Sequence, residues 1–138
     1  MVNLQELAQK LKESGYKLTR SRLAVLEVLE NHPEHLDHGQ ILLEGKKIYP
    51  QLSRATVYRT METLVALNLF RPLYLSEPTQ RFVSASGGHH HLVCSKCGVI
   101  YEFENCHAEE LSRELAEKYH FQILSHLLEF QGLCQKCQ

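Results

Sequence analysis

The chain has 138 residues, a length that fits one domain or two small ones sharing a core. Hydrophobic residues make up 43% and charged residues 22%, which excludes an intrinsically disordered chain. The net charge of −1 excludes a wholly basic nucleic-acid coat protein while leaving room for a local basic surface.

Leu4, Leu7, Ala8 and Leu11 share one helical face, and Gly15 follows as a stop. Thr19 is placed to cap a second helix with Leu23, Leu26 and Leu29 on its apolar face, ending near 31–33. Asp37 caps a third, carrying Ile41, Leu42 and Ile48, with Pro50 beyond its end. Ser53 caps a fourth, with Val57, Met61, Leu64 and Val65 inward. Residues 69–75 and 80–83 then read as two strands around a turn at 76–79. Helices followed by a hairpin is the order of a winged helix-turn-helix.

The fourth helix opens Ser53-Arg54-Ala55-Thr56-Val57-Tyr58-Arg59-Thr60. With Val57 and Met61 buried, Arg54, Thr56, Tyr58 and Arg59 cluster near its exposed start, where a recognition helix meets base edges and phosphates. Arg can read guanine or hold phosphate, and a Tyr ring can pack on thymine methyls. Lys17, Arg20 and Arg22 are placed to grip the flanking backbone. Any one of these cations alone reads as a solvated helix face; their grouping at a capped helix start points to DNA.

The balance of charge changes along the chain, from +2 over residues 1–83 to −3 over 84–138. All five cysteines and six of the nine histidines lie after residue 88, and Ser84-Ala85-Ser86-Gly87-Gly88 has the composition of a hinge. The expected division is a DNA-binding unit at 1–83, a hinge at 84–88 and a metal-binding unit at 89–138. The first six residues lack the basic start and apolar stretch of a signal peptide, and no apolar run approaches the roughly 20 residues of a membrane helix. A cytoplasmic protein with reduced cysteines is therefore expected.

Cys94-Ser95-Lys96-Cys97-Gly98 and Cys134-Gln135-Lys136-Cys137 are two Cys-x-x-Cys knuckles. Two residues between thiolates let both sulfurs reach one tetrahedral ion, and two knuckles close a structural zinc site with no position left for water. A redox pair would use one knuckle at a helix start, not two. The 36 residues between the knuckles must fold so as to return the chain end to its start. They read as a strand at 99–103, a helix at 108–119 with Leu111 and Leu115 inward, and a final alternating strand at 122–130. A sheet with one helix cannot bury both faces alone, so self-pairing to a dimer is expected.

His89-His90-His91 precedes the first knuckle. In extended chain His89 and His91 point to one side and His90 to the other, serving two metal environments. Glu102 can join the first, and Glu109 and His126 can join His90 in the second. Imidazole with carboxylate suits zinc, iron, manganese or nickel and separates them poorly. A solvated polar turn is the competing reading of this run. Cys106, beside His107, reads as a small buried hydrophobe rather than a ligand.

These residues resemble the ferric uptake regulator (Fur) superfamily of metal-sensing repressors over nearly the whole chain. The resemblance rests on Leu18-Thr19-Arg20-Ser21-Arg22, Ala55-Thr56-Val57-Tyr58-Arg59-Thr60, His89-His90-His91-Leu92-Val93-Cys94 with Cys97-Gly98, and Gly132-Leu133-Cys134 with Cys137. It implies an α+β fold, with an N-terminal winged helix-turn-helix and a small C-terminal α/β dimerisation domain holding structural zinc. It also implies a homodimer that binds palindromic, AT-rich operators when a regulatory metal is bound at the hinge. By the resemblance, Cys94, Cys97, Cys134 and Cys137 match the structural zinc ligands. His35, His89, His91 and Glu102 match the regulatory site, and His90, Glu109 and His126 a further site of some members. Lys17 matches a minor-groove lysine, and Tyr58 and Arg59 match major-groove residues. One departure concerns the carboxylate that usually stands six residues before the first matched histidine, where this chain has Val83. Glu77 in the wing turn is a candidate replacement. The departure favours zinc over the iron and peroxide-sensing forms, with ferrous iron and manganese as the other candidate regulatory ions. Two other classes compete: a zinc enzyme with Glu102 or Glu109 as general base, and a zinc-knuckle interaction module. The closed knuckles weigh against the first, and the Arg54–Arg59 cluster against the second.

Overall fold

A computed structural model describes residues 2–32, 35–73, 80–85, 90–124 and 126–138. The chain forms two compact units, Met1–Ser86 and Gly87–Gln138.

In the first unit, helices α1 (Leu4–Glu13), α2 (Arg20–Asn31), α3 (His38–Ile48) and α4 (Arg54–Ala66) precede strands β1 (Phe70–Leu73) and β2 (Arg81–Ser84). Each helix starts where a short polar side chain satisfies an orphan backbone donor. Asn3 accepts from Glu6 N–H, Thr19 from Arg22 N–H and Ser53 from Thr56 N–H. Asp37 and Gln40 form a reciprocal capping box. Helix α1 stops where Gly15 takes a φ of 86°, a left-handed conformation that costs a glycine little. The apolar faces then converge on one core, with Leu11, Val25, Leu26, Ile41, Val57, Met61 and Leu64 fully buried. Strands β1 and β2 pair antiparallel, with Arg71 opposite Val83, and Phe70 and Phe82 pack onto the helical core. Ser84, expected in the hinge, is the last residue of β2.

The second unit is a three-stranded sheet ordered β4 (Ile100–Phe103), β3 (His90–Cys94), β5 (Glu129–Gly132), with α5 (Ala108–Tyr119) connecting β4 to β5. Strand β3 runs antiparallel to β4 and parallel to β5. The final strand was expected at 122–130, but β5 begins at Glu129 and runs to Gly132. Its register is set by pairing with β3, which places Gly132 opposite Cys94. Leu111 and Leu115 are not inward: they are 53% and 39% exposed, and α5 buries no residue within the chain. Leu111, Leu115 and Tyr119 recur every four residues and form one apolar stripe on the helix surface. Among the described residues, no helix is long and apolar enough to cross a membrane.

Candidate metal centres and nucleic-acid interface

The parallel β3·β5 pairing brings the two knuckles together. Ser95 N–H and its hydroxyl both bond the Gly132 carbonyl, at 2.9 and 3.0 Å, tying the turn after β3 to the end of β5. Each knuckle then closes a tight turn: Gly98 N–H donates to Cys94 O, and Cys137 N–H to Cys134 O. Gly98 adopts a φ of 75°, which explains a glycine directly after the first knuckle. The four sulfurs of Cys94, Cys97, Cys134 and Cys137 lie within 4.8 Å of one another, with Cys97 Sγ to Cys134 Sγ at 3.7 Å. Sulfurs each about 2.3 Å from a tetrahedral zinc are about 3.8 Å apart, so the set fits that ion.

The thiols also show what an ion would relieve. Backbone N–H groups of Cys134 and Cys97 point at Cys94 Sγ, at 3.4 and 3.5 Å, and favour its thiolate, lowering its pKa to about 5. Cys137 is pushed the other way, to about 12, first by its hydrogen bond with the Cys134 thiol and then by burial. Four crowded thiols cannot all ionise alone, whereas a dication favours the thiolate at each.

Strand β3 sends its two described histidines to different places, as the alternation of extended chain requires. His91 is fully buried and pairs in register with Glu102, its Nε2 3.9 Å from Glu102 Oε1. That is too long for a hydrogen bond and within the span of two ligands each about 2.0–2.2 Å from one zinc. His90, also fully buried, instead joins Cys106 and His126, the three ligand atoms lying within 4.8 Å. Glu109, expected beside His90 and His126, is exposed in the first turn of α5 and is not part of this group. Cys106 is half-buried and faces an imidazole, so its reading as a mere small hydrophobe does not describe its surroundings.

His35 lies half-buried on the segment leading into α3, and His89 and Glu77 lie outside the described residues. Val83 is buried in β2 and contributes only packing.

On the first unit, Arg54, Tyr58 and Arg59 are exposed along the first two turns of α4, while Thr56 is half-buried. The Thr56 hydroxyl lies 3.0 Å from Ser53 Oγ and so takes part in the helix cap. Lys17 and Arg20 are exposed at the entrance to α2. Arg22 is spent within the chain, donating to the Lys17 carbonyl at 2.7 Å and lying over the Tyr16 ring. It holds the Lys17 backbone rather than projecting freely.

One contact was not visible in the sequence. His38 stacks face to face on Tyr58, with ring centroids 3.8 Å apart and planes 4° from parallel, while meeting Phe82 edge-on at 4.8 Å. Three elements, α3, α4 and β2, thus clamp one imidazole, which orients Tyr58 on the helix surface. Burial lowers the His38 pKa, against an opposing pull from Asp37 and Glu62. The unfolded chain therefore binds this proton more readily, so the contribution to stability is present above pH 6.5 and is lost as pH falls through the folded value. His38→Phe, which keeps the stack and removes the proton site, is expected to flatten the fall in melting temperature between pH 7.5 and 5. Equal pH slopes for the two proteins in a thermal melt series would contradict this.

The ferric uptake regulator family model matches residues 13–131, nearly the whole chain. The chain belongs to the ferric uptake regulator family. It is 34% identical to the ferric uptake regulation protein of Bacillus subtilis (strain 168) over 139 residues, covering 97% of this chain and 93% of that protein. It is also 34% identical, over 136 residues, to the peroxide operon regulator of the same strain, covering 97% of this chain and 92% of the relative. Among solved structures, the Helicobacter pylori ferric uptake regulator, described as having three functional metal-binding sites, superposes with a TM-score of 0.74 at 26% identity. That match covers 98% of this chain and 93% of that one.

This chain is accordingly a Fur-family metal-responsive transcription regulator with an α+β fold, built from a winged helix-turn-helix half and a dimerisation half. Members of the family are transcriptional regulators that bind DNA as dimers, and not enzymes. An iron regulator and a peroxide regulator match equally well, so overall likeness does not choose the metal, and the choice rests on individual ligands.

Proposed function

We propose that this protein is a homodimeric repressor that binds palindromic, AT-rich operators when a regulatory divalent metal, zinc in preference to iron or manganese, is held by His35, His89, His91 and Glu102. The observation that carries the metal-sensing half is the buried His91 facing Glu102 across β3 and β4. A fully buried imidazole beside a carboxylate is costly as plain packing and useful as a ligand pair. Support for zinc comes from Val83, an apolar side chain where the family's iron and peroxide forms usually offer a carboxylate. The names of the Bacillus relatives support iron or peroxide sensing as the second reading.

Cys94, Cys97, Cys134 and Cys137 would hold the structural zinc, which ties the chain end to β3. The bound regulatory ion supplies positive charge that neutral imidazoles and a carboxylate from different parts of the chain can share. His91 and Glu102 offer a fixed platform on the sheet, while His35 leads directly into α3, the helix whose first residue clamps Tyr58. A regulatory metal that binds better to the DNA-competent state than to the other would make metal and operator tighten each other's binding. The apolar stripe of Leu111, Leu115 and Tyr119 supplies a surface for the second copy. Two copies then place their recognition helices in major grooves roughly 34 Å apart.

On the DNA side, Tyr58 and Arg59 would read bases, Arg54 and Thr56 would meet the backbone near the helix start, and Lys17 and Arg20 would hold flanking phosphates. Tyr58→Ala is expected to weaken operator binding by roughly 5- to 150-fold, the effect of about 1–3 kcal/mol for one good base contact. Its residual affinity should keep the wild-type salt dependence, since no phosphate contact is removed. Arg20→Ala should instead lower the salt slope. Fluorescence anisotropy with labelled operator across a salt series checks both, and unchanged affinity for Tyr58→Ala would refute its base-reading role.

A further inference from the structure

The second metal site implied by the family resemblance pairs His90 and His126 with a carboxylate, Glu109. The geometry points to a different third ligand: we propose that Cys106 completes this site, giving two imidazoles and one thiolate that select a borderline-soft ion such as zinc over manganese or ferrous iron. The inference rests on the metal-sensing reading for the existence of a second site and adds the donor set and its selectivity.

Three observations carry it. Cys106 Sγ lies 3.2 Å from His126 Nε2, near the spacing of about 3.5 Å for a sulfur and a nitrogen on one tetrahedral zinc. The His126 and His90 rings lie 5.2 Å apart and within 22° of parallel, and His90 is fully buried, so a deep imidazole stands beside the sulfur–nitrogen pair. Glu109 is exposed on α5, and the ligand atoms within 4.8 Å of one another belong to His90, Cys106 and His126. The fold also explains why sulfur, not carboxylate, faces His126. Ala108 N–H, at the first residue of α5, donates to Cys106 Sγ at 3.2 Å and turns that side chain inward as the helix begins. Glu109 then leaves on the solvent side.

Leu128 N–H donates to His90 Nδ1 at 3.1 Å, so the neutral ring carries its proton on Nε2. Coordination by the neutral ring requires it to give up that hydrogen bond, directly if Nδ1 binds, or because the proton moves to Nδ1 if Nε2 binds. Cys106 and His126 are therefore the anchoring pair, and His90 is the ligand that adjusts. Because Leu128 O also accepts from His91 N–H, this adjustment acts on the backbone that carries His91. Binding releases the Cys106 thiol proton to solvent as the metal–sulfur bond forms, with no change of oxidation state.

Thiolate favours zinc and copper, whereas carboxylate-rich sets suit manganese and magnesium. The test uses full-length protein whose four-cysteine zinc is retained and counted before and after cobalt(II) is added. Wild type is expected to gain a near-ultraviolet sulfur-to-cobalt charge-transfer band, with no loss of the counted zinc. Cys106→Ser and Cys106→Ala should both lose the band and bind zinc at this site at least tenfold more weakly, with manganese binding unchanged. Glu109→Gln should keep the band. Two different replacements at Cys106, each checked by circular dichroism, separate ligand loss from misfolding. A band that survives both, that disappears in Glu109→Gln, or that never forms in wild type overturns the assignment of Cys106. Metal-dependent operator binding is read in the same samples. If it persists while the band is absent, only the Cys106 assignment fails; if wild type lacks it, the metal-sensing reading fails.

Discussion

Cys134→Ser is expected to unfold the 87–138 unit while leaving the 1–86 unit folded. The two units differ in what holds them. The first has a continuous core in which Leu11, Val25, Leu26, Ile41, Val57, Met61 and Leu64 exclude all water. The second has Val93, Cys94, His90 and His91 buried at its centre, but α5 buries nothing within the chain. A unit this short with so little apolar burial needs a staple. Zinc held by the four clustered cysteines would provide it, because a structural zinc contributes roughly 10 kcal/mol or more to folding. Losing one ligand of four removes the closed tetrahedron and frees the chain end that Cys134 holds against Cys94. Zinc counting, circular dichroism and amide exchange together check the outcome. Zinc should fall at this site and exchange protection should vanish from β3 to β5, while protection in α2 and α4 stays. A variant that retains zinc and melts within a few degrees of wild type would contradict the structural role.

His91→Ala is expected to abolish the metal dependence of operator binding while preserving the fold of both units. Its imidazole is wholly buried beside Glu102, so truncation would remove the proposed ligand and leave a space that water can fill. Allosteric coupling of this kind is typically 1–3 kcal/mol, or about 5- to 150-fold in affinity. The variant with saturating metal should therefore bind operator as weakly as metal-stripped wild type. Tyr58→Ala differs in kind, since it should weaken binding both with and without metal. Anisotropy titrations of the two variants, each with and without metal, form the comparison. Full metal activation retained by His91→Ala would remove this residue from the sensing site.

Much of the first unit was legible because its signals are local. Thr19, Asp37 and Ser53 each stand where a helix starts, and each does cap one. The knuckles were equally legible, since two residues between thiolates is a geometric requirement that survives any surrounding fold. What sequence could not show depended on partners distant along the chain. The alternation of 122–130 resembles a strand, yet β5 starts at Glu129 because pairing with β3 fixes its register. Leu111 and Leu115 have the spacing of a buried face, and no spacing says whether the burying surface is in the same copy. Glu109 and Cys106 are three residues apart around a helix start, and only the turn at Ala108 decides which side chain meets His126. The unpaired thiol next to His107 was the available signal. His38 gave none, because its stack on Tyr58 joins two helices through a ring contact with no periodic signature.

The most direct test of metal-responsive DNA binding is a titration of an AT-rich palindrome with protein stripped of regulatory metal but retaining its counted structural zinc. Zinc, ferrous iron and manganese are added separately under anaerobic conditions at buffered free concentrations. The expected result is tight operator binding switched on by zinc at free concentrations where iron and manganese have no effect. Equally tight binding with no added metal would contradict sensing by this protein, and activation by iron or manganese alone would contradict the preference for zinc.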